Sequence, residues 1–285
     1  MIRYSAMPAR QQADLETTPF HYYTVDNDTV CTEFHRSGDG YLLRFPDLAD
    51  FEVSADGTEV VAYPADEADD ATVEHLYINQ LVPLALSRQG QPTFHASIVT
   101  VPGGVVAFLG KSGMGKSTLA ASFALNGSPF LSDDALLFEE TADGCIVRPS
   151  HPSIRLWEDS EDALVDASTA QSIPISYSSK TRLLAGEALA YSAEPQRLIA
   201  AYVLESDESP DVVIRALAGL DRHMAWVYNS FLLDIEDPDL LKSHFDWTHR
   251  ISSAIPTFTL DYPRDYGILP KVRSAVQNHA ANSGN

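Results

Sequence analysis

Two short stretches hold residues whose types and spacing could do chemistry. The first, Gly110-Lys111-Ser112-Gly113-Met114-Gly115-Lys116-Ser117, fits G-x-x-x-x-G-K-[ST] at every fixed position. Glycines so placed let backbone N–H groups curl around phosphate oxygens, and a helix starting there adds its partial positive charge. Lys116 would reach the β- and γ-phosphates and the Ser117 hydroxyl would hold Mg2+, with Thr118 completing the nucleotide-binding set. Lys111 and Ser112 would contribute mainly their backbone N–H groups.

The second stretch, FLSDDALLF (130–138), sets Asp133 and Asp134 side by side in an apolar run. An ionised carboxylate out of water is costly unless paired, and alone the Ser-Asp-Asp triplet reads as a turn at a strand end. Its distance from the loop changes that reading. Asp133 follows Ser117 by 133 − 117 = 16 positions, room for one helix and one strand. In a βαβ unit both strands run the same way, so the carboxylates emerge beside the phosphate loop. There one could hold Mg2+ while the other accepts a proton from an attacking hydroxyl. Consecutive strand residues face opposite sides, so both can serve only if the strand ends or bulges at Ser132.

The elements that must position these residues are legible. VVAFLG reads as the strand entering the loop, and STLAASFALNG as the helix leaving it. Leu119/Phe123 and Ala120/Ala124 lie at i,i+4, and Gly127 stands as terminator. Before them, YLLRF (41–45), FEVS (51–54) and an Asp56-Gly57 turn predict short strands, and 72–88 predicts a helix kinked at Pro83 and ended at Gly90. The expected fold class is α/β, with a small β-rich unit at 1–90 closed by a helix and a P-loop domain at 91–285. Further on, Leu217, Leu220, Met224, Val227 and Phe231 step 3, 4, 3, 4 and predict one apolar helix face. Trp157, Trp226 and Trp247 read as packing residues.

Composition narrows the partners. Forty acidic against 19 basic residues give a formal charge of −21, a field that repels nucleic acid and anionic membranes. Cys31 and Cys145 have no metal-type spacing and form no disulfide framework. The N-terminus has no apolar signal region, and no run of 18 apolar residues exists. A soluble cytoplasmic protein is the expectation.

FHASIV (94–99), FLGKSGMGKSTLA (108–120) and PFLSDDALLF (129–138) together resemble the HPr kinase/phosphorylase-like P-loop serine kinases. RLW (155–157), SSKTRL (178–183) and LDYPRD (260–265) extend the resemblance to compact HPr-kinase-related proteins, including those of lasso-peptide gene clusters. The resemblance implies a P-loop kinase domain whose fold is related to ATP-dependent phosphoenolpyruvate carboxykinase. It implies ATP and Mg2+ as cofactors and phosphoryl transfer to a serine-type hydroxyl of a peptide or protein. Carried over, His95 is the active-site histidine and Asp133 the general base, with Asp134 and Ser117 on the Mg2+ side. The second glycine-rich signature of HPr kinase proper has no counterpart in RPSHPSIRLWEDSEDALV (148–165), which points to an acceptor other than HPr. The acidic surface suits a basic acceptor segment.

A triphosphate calls for further cations, because charge spreads over its oxygens during transfer. Lys180 and Arg182 are the first candidates, ahead of Arg155, Arg197, Arg215 and Arg264. Two other functions share these motifs: a nucleotide-dependent switch with slow hydrolysis, and a small-molecule kinase. The chain lacks the Asn-Lys-x-Asp base-reading motif and the Leu-Ser-Gly-Gly-Gln signature expected of common switches.

Overall fold

The computed structural model describes residues 2–25, 29–141, 144–165, 172–174, 180–205 and 209–283. Within it the chain forms two units, 1–91 with 231–244 and 92–230 with 245–285.

In the first unit, period-two alternation and tight turns produce β1 (Arg3–Ala6), β2 (His21–Val25), β3 (Thr29–Ser37), β4 (Gly40–Phe45), β5 (Ala49–Val53) and β6 (Glu59–Pro64). They form one sheet in the order β1-β6-β5-β4-β3-β2. At the β5–β6 turn Gly57 has φ +70°, and a Cβ there would lie 2.4 Å from the Ala85 carbonyl, so only glycine fits. Asp69 then caps α1 (Asp70–Leu76), accepting the Thr72 N–H at 2.7 Å. Ahead of the kink predicted at Pro83, a π turn, Tyr77–Leu81, joins α1 to α2 (Val82–Arg88). Pro83 thereby sits in the first turn of α2, where its missing N–H costs least. Segment 231–244 belongs to this unit. There Asp234 accepts from Arg36 Nη2 at 2.8 Å and from the Tyr41 hydroxyl at 3.0 Å.

The second unit holds β7 (Thr93–Phe94), β8 (Ser97–Val101), β9 (Gly104–Leu109), α3 (Lys116–Ala124), β10 (Phe130–Ser132), β11 (Leu136–Thr141) and β12 (Gly144–Arg148). After these come β13 (Ser153–Trp157), α4 (Glu158–Leu164), β14 (Ser172–Pro174), β15 (Lys180–Leu184), β16 (Gln196–Val203), β17 (Val213–Ala216) and α5 (Gly219–Tyr228). The last turns of α6 (Pro238–Ala254), β18 (Thr257–Asp261) and α7 (Leu269–Ser283) complete it. The large sheet has the order β10-β8-β9-β16-β12-β11-β7, with β18 also on β16 and β17 on β18. Both β9 and β10 pair antiparallel with β8, which lies between them, so β9 and β10 run the same way. A smaller sheet, β13-β15-β14, lies apart from this path.

The unbroken apolar run of β9 reflects cover on both faces. Val106 and Phe108 pack into one core with Leu119 and Phe123 of α3 and Val272 and Val276 of α7. Val105, Ala107 and Leu109 join the opposite core with Trp226 of α5 and Ile251 and Ile255. The apolar stripe predicted from Leu217 to Phe231 is corrected here. Leu220 is 71% exposed, and α5 instead buries His223, Ala225 and Trp226. The Trp226 indole, fully buried and donating to Thr257 Oγ1 at 3.1 Å, decides which side of α5 faces the core. No helix among the described residues is long and apolar enough to cross a membrane.

Phe108 is the test of this double-sided packing. Phe108→Ala should lower stability by about 3–5 kcal/mol, read as a reduced urea midpoint at unchanged m-value.

Candidate active site

The phosphate loop is built from backbone geometry. Where β9 ends, Gly110 adopts φ +141°, and a Cβ there would fall 2.7 Å from the Leu204 carbonyl. Gly113 and Gly115 take φ +83° and +85°, left-handed positions that turn the chain into α3. No side chain caps α3. The Lys116 ammonium donates to the Gly110 carbonyl at 2.7 Å and the Lys111 carbonyl at 3.1 Å, which holds it across the loop. Ser112, Gly113, Gly115, Lys116, Ser117 and Thr118 all line one cavity of ≈ 280 Å³. Met114 packs half-buried against the α3 side of the core.

The two aspartates meet this loop because β10 stops at Ser132 and the next residues leave strand geometry. Asp134 takes φ +72°, a conformation an aspartate tolerates better than most residues. Asp133 Oδ1 accepts from Ser117 Oγ at 3.0 Å and from Ser97 Oγ at 2.5 Å, and its Oδ2 accepts the Arg155 N–H at 3.1 Å. Asp134 Oδ2 accepts from Arg155 Nε at 2.7 Å and Nη2 at 2.5 Å. His95 Nε2 lies 3.6 Å from Asp134 Oδ1, an electrostatic contact longer than a hydrogen bond.

Burial, with Asp134 beside it, pushes the Asp133 carboxyl up to about 6 against the bonds from Ser97 and Arg155. Burial also lowers His95 below the ordinary histidine range, an effect the Asp134 contact opposes.

The cavity separates the two carboxylates. Asp134 and His95 line it, whereas Asp133 lies behind Ser117. The resemblance assigns the proton to Asp133 and the metal to Asp134, and of the two it is Asp134 that faces the cavity. Ser117 and Asp133 offer two hard oxygen donors beside the phosphate loop, which suits Mg2+ held by one carboxylate together with phosphate oxygens. Among the described residues no cluster of three or more His, Cys, Asp or Glu could hold a metal by itself.

The expected extra cations are distributed differently. Arg155 and Arg264 line the cavity with Lys116, while Arg182 does not. Arg182 stands directly opposite Arg155 in the β13–β15 pair. Lys180 begins β15, and its side chain falls outside the described residues. Trp157, read as packing, is 42% exposed and lines the cavity.

Ser97 and Asn229 carry no motif. Asn229, at the C-terminal end of α5, accepts the Gly110 N–H on its Oδ1 at 2.8 Å and the His95 N–H on its carbonyl at 2.6 Å. One residue thus ties the loop to the histidine. Both contacts join segments far apart in the chain.

No family model matches the chain, and no curated protein is a significant match. Among solved structures it is similar to the HPr(Ser) kinase/phosphatase from Coxiella burnetii, at 12% identity and a TM-score of 0.35, over 68% of this chain and 99% of that one. A likeness that remote says nothing about activity.

A carboxyl whose proton affinity is raised in the folded state costs stability once it ionises. Its contribution is favourable below the unfolded value near 3.9 and is lost as pH rises through about 6. Asp133→Asn should therefore raise stability at pH 8 by on the order of 1–2 kcal/mol, with the gain shrinking at pH 5. Urea melts of both proteins at the two pH values check this, and a loss of stability at pH 8 would contradict it.

Proposed function

We propose that the chain is an ATP-dependent, Mg2+-assisted phosphotransferase that moves the γ-phosphoryl group to a serine-type hydroxyl of a peptide or protein, in the manner of the HPr-kinase-like family. One observation carries the reading. A single cavity is lined by the loop lysine, Ser117 and a second carboxylate, Asp134, with Asp133 bonded directly behind Ser117. A site for binding triphosphate needs the loop and a metal carboxylate, and a further carboxylate facing the cavity is what transfer to a hydroxyl adds.

In this mechanism the glycine loop and the α3 N-terminus hold the phosphates, and Lys116 leaves its loop carbonyls for the β- and γ-oxygens. Mg2+, when bound through Ser117 and Asp133, supplies charge neutralisation on those oxygens. Asp134 takes the proton of the acceptor hydroxyl as its oxygen bonds to the γ-phosphorus and the bond to the β-phosphate oxygen breaks. Arg155 holds both acids in place, Asp134 by its guanidinium and Asp133 by its N–H. His95, beside Asp134, offers a hydrogen bond to the transferring group. The formal charge of −21 supports an acceptor with a basic segment near its hydroxyl.

Incubation with Mg-ATP and a panel of serine-bearing peptides, including basic ones and lasso-precursor-like sequences, should add the mass of one phosphate to the acceptor. Asp134→Asn should keep nucleotide affinity and lose about 10²–10⁴ in kcat. Asp133→Asn should weaken Mg2+-dependent binding instead. Hydrolysis with no transfer to any hydroxyl would favour a switch and overturn the proposal.

A further inference from the structure

Aromatic side chains also line the cavity. Arg155 and Trp157 lie two residues apart on β13 and so share a face of that strand. Arg155 marks the acidic end through Asp134, and the strand runs from there towards Trp157 and α4. Thr118, the residue after the metal-side serine, pairs with Ser160 Oγ of α4 at 3.1 Å. Ser160 Oγ in turn lies 3.1 Å from the Tyr266 hydroxyl, and that hydroxyl donates to Asp159 Oδ2 at 3.0 Å. This chain fixes the Tyr266 ring, which lines the cavity, while Tyr266 and Trp157 remain 36% and 42% exposed. Arg264 Cζ lies over the Tyr262 ring, 4.2 Å from its centroid, and the residue lines the same space.

A triphosphate has two ends. If its γ end lies among Lys116, Ser117 and Asp134, as the proposed function requires, its other end leaves on the Thr118 side. The geometry points to a purine-base subsite at that end, with the base stacked on Tyr266 beside Trp157. Exposed aromatic faces in a partly closed cavity hold a base through its π-face, and a purine offers the larger stack. The polar atoms here are largely occupied by one another: Ser160 by Thr118 and Tyr266, Asp159 by Tyr266 and the Ser160 N–H at 2.9 Å. Stacking rather than hydrogen-bond readout therefore carries recognition. Purine is separated from pyrimidine, and adenine and guanine are treated alike.

Calorimetric titration of the full chain with Mg-ATP, Mg-GTP, Mg-UTP and Mg-tripolyphosphate tests this. Both purine nucleotides should bind about 10-fold or more tighter than tripolyphosphate, with UTP between. Tyr266→Ala should remove most of the purine advantage and leave tripolyphosphate affinity within about 2-fold. Tyr266→Phe, which keeps the ring but not its hydroxyl, should retain most of it and guards against a folding defect. Tripolyphosphate binding as tightly as ATP, or Tyr266→Ala leaving ATP affinity unchanged, would overturn the base subsite while the phosphoryl-transfer reading stands. Binding of neither tripolyphosphate nor nucleotide would remove both.

Discussion

The buried carboxylate of Asp133 is where the parts of the site converge. One oxygen takes hydroxyls from β8 and from the first turn of α3, and the other takes a backbone N–H from β13. Three elements distant in sequence are thus held to one group whose ionisation burial disfavours. Such a group is poorly placed for stability and well placed to receive a divalent cation, whose charge would reverse the local electrostatics. Loss of stability at a site poised for ligand is a common trade in enzymes.

The same constraint explains the division of labour between neighbours. Because Asp133 turns back towards Ser117, the chain must reverse at the next residue to bring Asp134 to the cavity, and the left-handed backbone at Asp134 does this. Arg155 then serves both acids, by its N–H and by its guanidinium, which keeps two adjacent carboxylates from repelling one another out of place. Asn229 performs a comparable task on the other side, joining the loop at Gly110 to the backbone of His95. These two residues position groups that motifs name but do not arrange.

A chain this acidic has few cations, and Lys116, Arg155 and Arg264 all line the cavity. Arg155 is engaged with Asp134 and Arg264 with an aromatic ring, so each is held in a fixed orientation before any ligand arrives. Preorganisation of this kind lowers the cost of ordering charged side chains on binding.

Much of the site was legible in local order. The glycine spacing of 110–115 specified a loop because glycine adopts those backbone angles far more readily than other residues, and the strand-to-helix text around it specified which end faces a ligand. The distance from Ser117 to Asp133 placed the acids at the same sheet edge, since a crossover of that length returns a parallel strand. The helical stride of α5 misled, because several registers satisfy a 3–4 spacing and the volume of Trp226 chose among them. Which aspartate faces the cavity, which arginines join it, and the exposure of Trp157 depended on where β10 ends and on the pairing of β13 with β15. Local spacing settles which backbone shapes are allowed. Side-chain direction at a strand end, and contacts between strands far apart in the chain, are decided only once the sheets have closed.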